Sequence, residues 1–324
     1  RQVLLITNHV SEHYDAMYIG HMDTVFPDGT AEKRPFRIEG ENYYGPGVGD
    51  MKNGDLAMFH IAANLPETEK KCLNIAMVYN PDEEIGSIYS KEITDHIGCK
   101  ADHIFVMESA GKNGTRHCFA RKGSLTYDIE FQGQAAHAGF MFEVENASAV
   151  LEMGHYIVEL MNLADREKDT TVNVGVANGG TARNVVADHA KISVEMRFWD
   201  DSERIRLKEY VNKITKGQPF VPGVKTTITM QKETPPFIKT EEAKKYIERV
   251  RKIAEEQGIP FEEKDRGGLS DANHLSRCGN AIVMDGMGPH GANDHSEKEY
   301  GYIGSVEPCV KLHLAILNDM LNKQ

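Results

Sequence analysis

Three short apolar runs set the early pattern of the chain: AMYIG at 16–20, LNIAMVY at 73–79 and HIFVM at 103–107. Each has strand length, and none shows the apolar–polar alternation of a strand with one wet face. The strand-like VLLIT precedes them at 3–7, and the helix-patterned DLAMFHIAANL (55–65) and SKEITDHI (90–97) lie between them. Strand–helix–strand order with uniformly apolar strands predicts a mainly parallel sheet covered on both faces. FRIEGENYYG, at 36–45, predicts a hairpin turning at Gly40-Glu41-Asn42.

From about residue 117 the pattern changes, and SLTYDIEFQG alternates cleanly. An amphipathic helix follows at 146–163, then the strands TTVNVGVA and AKISVEMRFW, a charged helix at 201–214 and a last strand, VKTTITMQ. That order, β-α-β-β-α-β, is the ferredoxin-like unit. Pro235-Pro236 marks a linker, after which a helix at 241–257, the strand NAIVMDG at 280–286 and a helix at 306–321 return to the first style. The expected fold is therefore α/β. A mainly parallel-sheet domain in two parts, 1–116 and 234–324, is interrupted by a smaller α+β domain at 117–233.

Composition narrows the partners. With 27% charged and 40% hydrophobic residues in 324, the chain reads as an ordinary globular protein. A formal net charge of −12 speaks against nucleic acid or an anionic membrane as partner. No apolar run approaches the ~18–20 residues of a membrane span. The five cysteines, Cys72, Cys99, Cys118, Cys278 and Cys309, form no C-x-x-C pair, the usage of reduced thiols in a cytoplasmic protein. No signal peptide is visible, although the sequence opens at Arg1 and not at a Met.

Candidate chemistry gathers where the early strands end. AMYIG runs into His21-Met22-Asp23, LNIAMVY into Asp82-Glu83-Glu84, and HIFVM into Glu108. In open α/β sheets, sites form beyond the carboxyl ends of the strands. In an extended H-x-D, His21 and Asp23 point to one face, so Asp23 can hold the ring nitrogen of a metal-bound His21. Glu83 and Glu84 are adjacent and point apart if extended, which suits one as a metal ligand and the other as a base toward substrate. Asp50 sits in the glycine-rich YGPGVGDMKNG (44–54), where a carboxylate could bridge two ions or simply cap a turn. The late loop GMGPHGANDHSEKEY (286–300) offers His290 and His295.

Together, HMDTVFPDG, PFRIEG…YYGPGVGDMKNG, NPDEEIGS, the Glu of VMES, QAAHAG, ARNVVAD…VEMRF, GGLSDA and HSEKEY resemble the co-catalytic zinc metallopeptidases. That family includes glutamate carboxypeptidase, peptidase T, aminoacylase, acetylornithine deacetylase and succinyl-diaminopimelate desuccinylase, and the glutamate carboxypeptidase branch is the most similar. The resemblance implies two Zn²⁺ ions, with Co²⁺ or Mn²⁺ as substitutes. His21 and Glu108 would hold one, Glu84 and His295 the other, and Asp50 would bridge them. His295 is preferred to His290 because H-S-x-x-E-Y follows it. Asp23 would orient His21, and Glu83 would be the general base. His137 would reach the partner subunit's site and stabilise an oxyanion. Asn184 and Arg197 would hold the substrate's carboxylate, with Gly268 and Asp271 of GGLSDA as further substrate contacts. Ala136 departs from the family's small hydroxyl residue before the lid histidine. The family's helical segment ahead of the first strand is not among these residues.

The implied protein is a homodimer, paired through the inserted lid domain. It would hydrolyse peptide or N-acyl amide bonds next to a free carboxylate, as a carboxypeptidase or an amino-acid deacylase does. Glu108 favours that branch, since the family's aminopeptidases and dipeptidases tend to carry Asp there. A tripeptidase- or dipeptidase-type aminopeptidase is the alternative, and an inactive metal- or peptide-binding member is a remoter one.

Overall fold

The uniformly apolar runs prove to be strands buried on both sides. In the computed structural model, which describes residues 2–322, the strand Tyr14–His21 sends Ala16 and Tyr18 into one hydrophobic cluster and Met17 and Ile19 into another. Ile75–Asn80 and Ala101–Val106 divide their side chains in the same way: Met77 and Phe105 to the first cluster, Val78 and Ile104 to the second. With a period of two and apolar material on both faces, the middle of each strand has no wet side, which explains the missing alternation. Each such side chain contributes roughly 1.5–3 kcal/mol of transfer free energy on burial.

The sheet runs Leu4–Thr7, Ile75–Asn80, Tyr14–His21, Ala101–Val106, Ile282–Met284. Its inner pairings are parallel, and the edge strand Leu4–Thr7 pairs antiparallel with Ile75–Asn80. Helices Asn53–Asn64, Glu241–Glu256 and Val306–Leu321 cover one face through Met58, Ile61, Val250, Ile316 and Leu317. Lys91–Gly98 and Ala272–Leu275 cover the other through Ile97 and Leu275. The parallel strands therefore end together, at His21, Asn80 and Val106.

A second sheet was only partly legible. The expected hairpin is present as Arg37–Glu39 and Asn42–Tyr44, with Gly40 at φ 62 in its turn. It continues through Tyr300–Tyr302 and Gly288–Ala292 to Ser109–Ala110. Residues 286–300, expected as a loop, thus hold one whole strand and the start of another. Short, glycine-rich strands carry no apolar run, and only their pairing partners reveal them. His295 lies in the connection between those two strands.

The chain divides into two compact units: one runs to Arg121 and resumes at Phe237, and the other is Lys122–Pro236. The second unit starts somewhat beyond the change of pattern at residue 117. Cys118 exchanges backbone hydrogen bonds with Asp285 and Arg121 with Phe237, which keeps 117–121 in the first unit. In the second unit the strands lie in the order Thr171–Gly179, His189–Phe198, Gly123–Gln132, Lys225–Thr234, all antiparallel. Helices Ala149–Met161 and Asp201–Lys216 complete the β-α-β-β-α-β unit. Ser148 and Asp200 cap them, accepting from the N–H groups of Leu151 and Glu203. From Ala190 onward the strand His189–Phe198 alternates between buried and half-exposed positions, as its sequence pattern requires.

Candidate metal centre and active site

Beyond Asn80 the chain does not stay extended. Glu83–Ile85 form a single 3₁₀ turn, closed by Gly86 at φ 87. The cause is Asp23, whose two carboxylate oxygens accept the N–H groups of Glu83 and Glu84 at 3.1 Å each. Two adjacent amides gripped by one carboxylate must curl. Neighbours on such a turn still diverge, by about 120°, so Glu83 and Glu84 separate for a reason other than the extended geometry expected. Asp23 also differs from expectation toward His21. Its backbone carbonyl is 3.1 Å from His21 Nδ1 and its carboxylate 3.4 Å, so the ring is oriented by both while the carboxylate mainly shapes the turn.

The glycine-rich segment presents Asp50 in a similar manner. Glu299, almost wholly buried, accepts the N–H groups of Gly47 and Gly49 at 2.8 Å and of Asp50 at 2.9 Å. Gly47 has φ 75, and a Cβ there would lie 2.3 Å from Thr24 and 2.5 Å from Lys52 Nζ. Gly54 lets the following helix approach the strand end, since a Cβ would sit 2.0 Å from the Met107 carbonyl. Only glycine satisfies these positions.

Asp50 then points its two oxygens in different directions. Oδ1 is 2.9 Å from His21 Nε2, which also lies 3.6 Å from Glu108 Oε1. Oδ2 is 3.0 Å from His295 Nε2, which also lies 3.2 Å from Glu84 Oε2. The result is two groups of donor atoms, His21–Asp50–Glu108 and Asp50–Glu84–His295, each within 4.8 Å and sharing Asp50. His295 holds φ 60, a left-handed conformation that is disfavoured for a residue with a Cβ and common where side chains are aimed for function. His290 belongs to neither group. It is buried, with its ring nitrogen 2.9 Å from the Ala110 carbonyl.

Crowded acids give this pocket its electrostatic character. Burial, reinforced by the Asp50 charge, pushes the Glu84 carboxyl up to about 7. Burial and the charges of Glu108 and Asp271 push Glu83 well above the ordinary carboxylate range. Glu108 is raised by burial and by Asp50. For Asp50 burial acts upward, but the hydrogen bonds and charges of His21 and His295 outweigh it and hold the carboxyl low. Burial would discharge His21, yet Asp23, Asp50 and Glu108 together keep its ring protonated to well above the usual range. Glu84 Oε1 is buried without a hydrogen-bond partner. Two imidazoles and three carboxylates, one of them shared, form a donor set suited to divalent cations of the zinc type.

The remaining candidates fall elsewhere. Gly268 is exposed, its carbonyl accepting from Arg121 Nη1 at 3.2 Å. Asp271, expected as a substrate contact, is 3% exposed and engaged by Asn80, Ser87 and His274. In the second unit His137 is exposed beside Asn184, whose carbonyl accepts the Ala138 N–H at 2.9 Å. Arg197 pairs with Ser124 and Thr171 at the far end of the sheet, with Nη2 donating to Glu195. Eight positions separate it from His189 along the strand, roughly 27 Å at a strand's rise. Sequence reading also missed Glu299, although it lies in HSEKEY. A run of free glycine amides needs an acceptor, but nothing in the pattern says which acid supplies it.

A parallel sheet whose strand ends converge on a shared carboxylate, with two liganding groups and a raised glutamate beside them, defines a metal-dependent hydrolase. Residues 17–319 match the model of peptidase family M20/M25/M40, and the chain belongs to that family. Carboxypeptidase G2 of Pseudomonas sp. (strain RS-16) is 25% identical over 307 residues, covering 94% of this chain and 73% of that protein. Succinyl-diaminopimelate desuccinylase of Helicobacter pylori (strain G27) is 24% identical, covering 94% and 79%. Among solved structures, a tripeptidase of Staphylococcus aureus superposes with a TM-score of 0.80 at 21% identity, over 99% of this chain and 84% of that one. Among the described residues, no helix is long and apolar enough to cross a membrane.

Proposed function

We propose that the paired groups hold two divalent ions, zinc foremost with cobalt or manganese as substitutes, and that the enzyme cleaves amide bonds next to a free carboxylate. The observation that carries this reading is Asp50, whose two oxygens each face a different histidine and a different glutamate. Bound there, the ions would supply Lewis acidity toward a carbonyl and make a water acidic enough to attack near neutral pH. Glu83 takes the attacking water's proton and returns it to the leaving nitrogen. Its buried position among other acids suits a carboxyl that must change protonation state in each cycle. Asp23 fixes the backbone of that base through the Glu83 and Glu84 amides.

His137, Asn184 and Arg197 supply substrate contacts in this reading. On the same reading His137 reaches the partner subunit's site, so a complete carboxylate and oxyanion site draws on two chains. The exposed edge strand Thr171–Gly179 and the apolar outer face of Ala149–Met161, with Leu151 and Val158, suit pairing of two such units in a homodimer. The substrate reading is a peptide or N-acyl amino acid, in keeping with the likeness to carboxypeptidase G2.

The test is hydrolysis of N-acyl amino acids and di- and tripeptides by the zinc-loaded protein, each with free and blocked termini, against a chelated control. Cleavage that needs zinc and a free carboxyl end is the expected result. Cleavage that needs a free amine instead moves the enzyme to the aminopeptidase side. No cleavage with two zinc ions bound would favour a binding protein.

A further inference from the structure

The turn carrying Glu83 and Glu84 is held from below as well as by Asp23. Asp271 Oδ2 accepts from Asn80 Nδ2 at 2.7 Å, and Oδ1 accepts the Ser87 hydroxyl at 2.5 Å. Asn80 ends the strand before the turn and Ser87 lies just after it, so one carboxylate ties both limbs together. Asn80 Oδ1 in turn accepts the Ser90 hydroxyl and the Asp82 N–H. The Ser87 N–H closes on the Asp82 carbonyl and the Tyr89 N–H on the Asp82 carboxylate, both at 2.7 Å. Asn80, Asp82, Ser87, Ser90 and Asp271 are all buried.

Behind Asp271 stands His274. Its Nε2 is 3.0 Å from Asp271 Oδ1, and its Nδ1 is 2.5 Å from Asp95 Oδ1 on the helix Lys91–Gly98. A ring with a carboxylate at each nitrogen donates from both, and that form is the imidazolium. Among the described residues Asp271, 3% exposed, pairs with no cation other than His274, whereas Asp95, 25% exposed, also pairs with Lys91.

We propose that Asp95, His274 and Asp271 form a positioning relay that fixes the Glu83–Glu84 turn, with His274 as its cation. The relay rests on the reading of Glu83 as the base and Glu84 as a ligand. His274 touches no reacting atom and acts through Asp271, Asn80 and Ser87. Burial opposes its charge, but the two carboxylates outweigh burial and push its ring up to about 9. Displacement of a catalytic group by about an ångström costs on the order of 10²-fold in rate, which sets the scale of the effect.

The experiment compares His274→Leu, His274→Gln and Asp95→Asn as zinc-loaded proteins. Expected is a fall in kcat of about 10²-fold for Leu, with progressively smaller losses for Gln and Asn. KM should stay within about twofold and two zinc ions should remain bound, because the ligands themselves are untouched. Hydrogen exchange at the Ser87 and Tyr89 amides should speed up while that of the strand Tyr14–His21 does not. Full kcat in zinc-loaded His274→Leu overturns the relay, and so does faster exchange spread evenly over the chain. If His274→Leu does not fold, unchanged Ser87 and Tyr89 exchange in Asp95→Asn overturns it equally. Should the wild type hydrolyse nothing, the function reading falls, and the exchange comparison still decides the relay.

Discussion

The strand ends of the first unit and the exposed end of the second carry their functional residues in opposite ways. Around Asp50, Glu83 and Glu84 the backbone segments are held by acids: the half-buried Asp23 under one turn, the buried Glu299 under the glycine loop, the buried Asp271 behind both limbs of the turn. His137 and Asn184 instead stand exposed, His137 accepting a local N–H from Gly139. A site that polarises a carbonyl needs donors already in place, because reorganisation at the moment of reaction raises the barrier. A site that must admit substrate and a second chain needs open groups. Under the proposed function, the contrast separates residues assigned to the bond-breaking step from residues assigned to a site completed on assembly.

Glu83→Ala is the sharpest break on the first side. It should lower kcat by about 10²–10⁴-fold, the range of general-base assistance, with both metal ions retained. Turnover unchanged in a metal-loaded variant would remove Glu83 from the mechanism. On the second side, His137→Ala should cost about 10²–10³-fold in kcat, as loss of an oxyanion donor does, without altering metal content or melting temperature. Mixing the two inactive proteins should then restore part of the activity, because one mixed site carries an intact base and an intact histidine. Verified heterodimers with no recovery would show that His137 works within its own chain, or not at all.

The two sides also differed in how far the sequence revealed them. The parallel strands were legible because burial on both faces forces runs such as LNIAMVY, and the second unit because one wet face forces alternation in SLTYDIEFQG. The five grouped donors were legible from motifs in a known order. The supports were not. Glu299, Asp95 and His274 act through contacts separated by up to 252 residues, and a lone acid or histidine in a sequence looks the same whether solvated or buried. Asp271 shows the cost: its motif marked it as functional, but only the structure reveals its hydrogen bonds to Asn80 and Ser87 on the two limbs of the turn. The strands around His290 escaped because glycine-rich pairing leaves no hydrophobic signature.

A pH measurement sharpens the comparison within the first unit. His274 titrates near 9 against an ordinary 6.5. Its folded value is raised, so its contribution is complete below about 6.5 and is lost as pH rises through about 9. Asp95 and Asp271 face it directly, with Lys91 and Cys278 beside Asp95. A tenfold change in proton affinity corresponds to about 1.4 kcal/mol, so the preference of the folded state for the imidazolium amounts to roughly 3 kcal/mol. Urea unfolding of the chelated protein should therefore show stability falling across that window in the wild type and less steeply in His274→Gln. Parallel curves would mean that the imidazolium contributes no folding stability.

The smallest expected effect belongs to Glu299, and it asks whether the glycine loop needs its acid. Three backbone N–H groups converge on the two oxygens of a residue only 1% exposed. In Glu299→Gln one oxygen becomes an NH₂ group, which must face at least one of those N–H donors. An unpaired buried amide costs about 1–3 kcal/mol, and the loop's cheapest escape is to rotate Asp50 away from one of its two histidines. Loss of such a supporting partner typically lowers metal affinity or activity by about 10–100-fold. Chelator competition should show one of the two ions released more readily, with kcat falling in step and KM little changed. Glu299→Asp keeps both acceptors on a shorter stem and should recover part of the affinity. If Glu299→Gln retains both ions as tightly as wild type, the loop is rigid on its own, and the preorganisation of the first unit resides in the turn and its relay, not in the glycine segment.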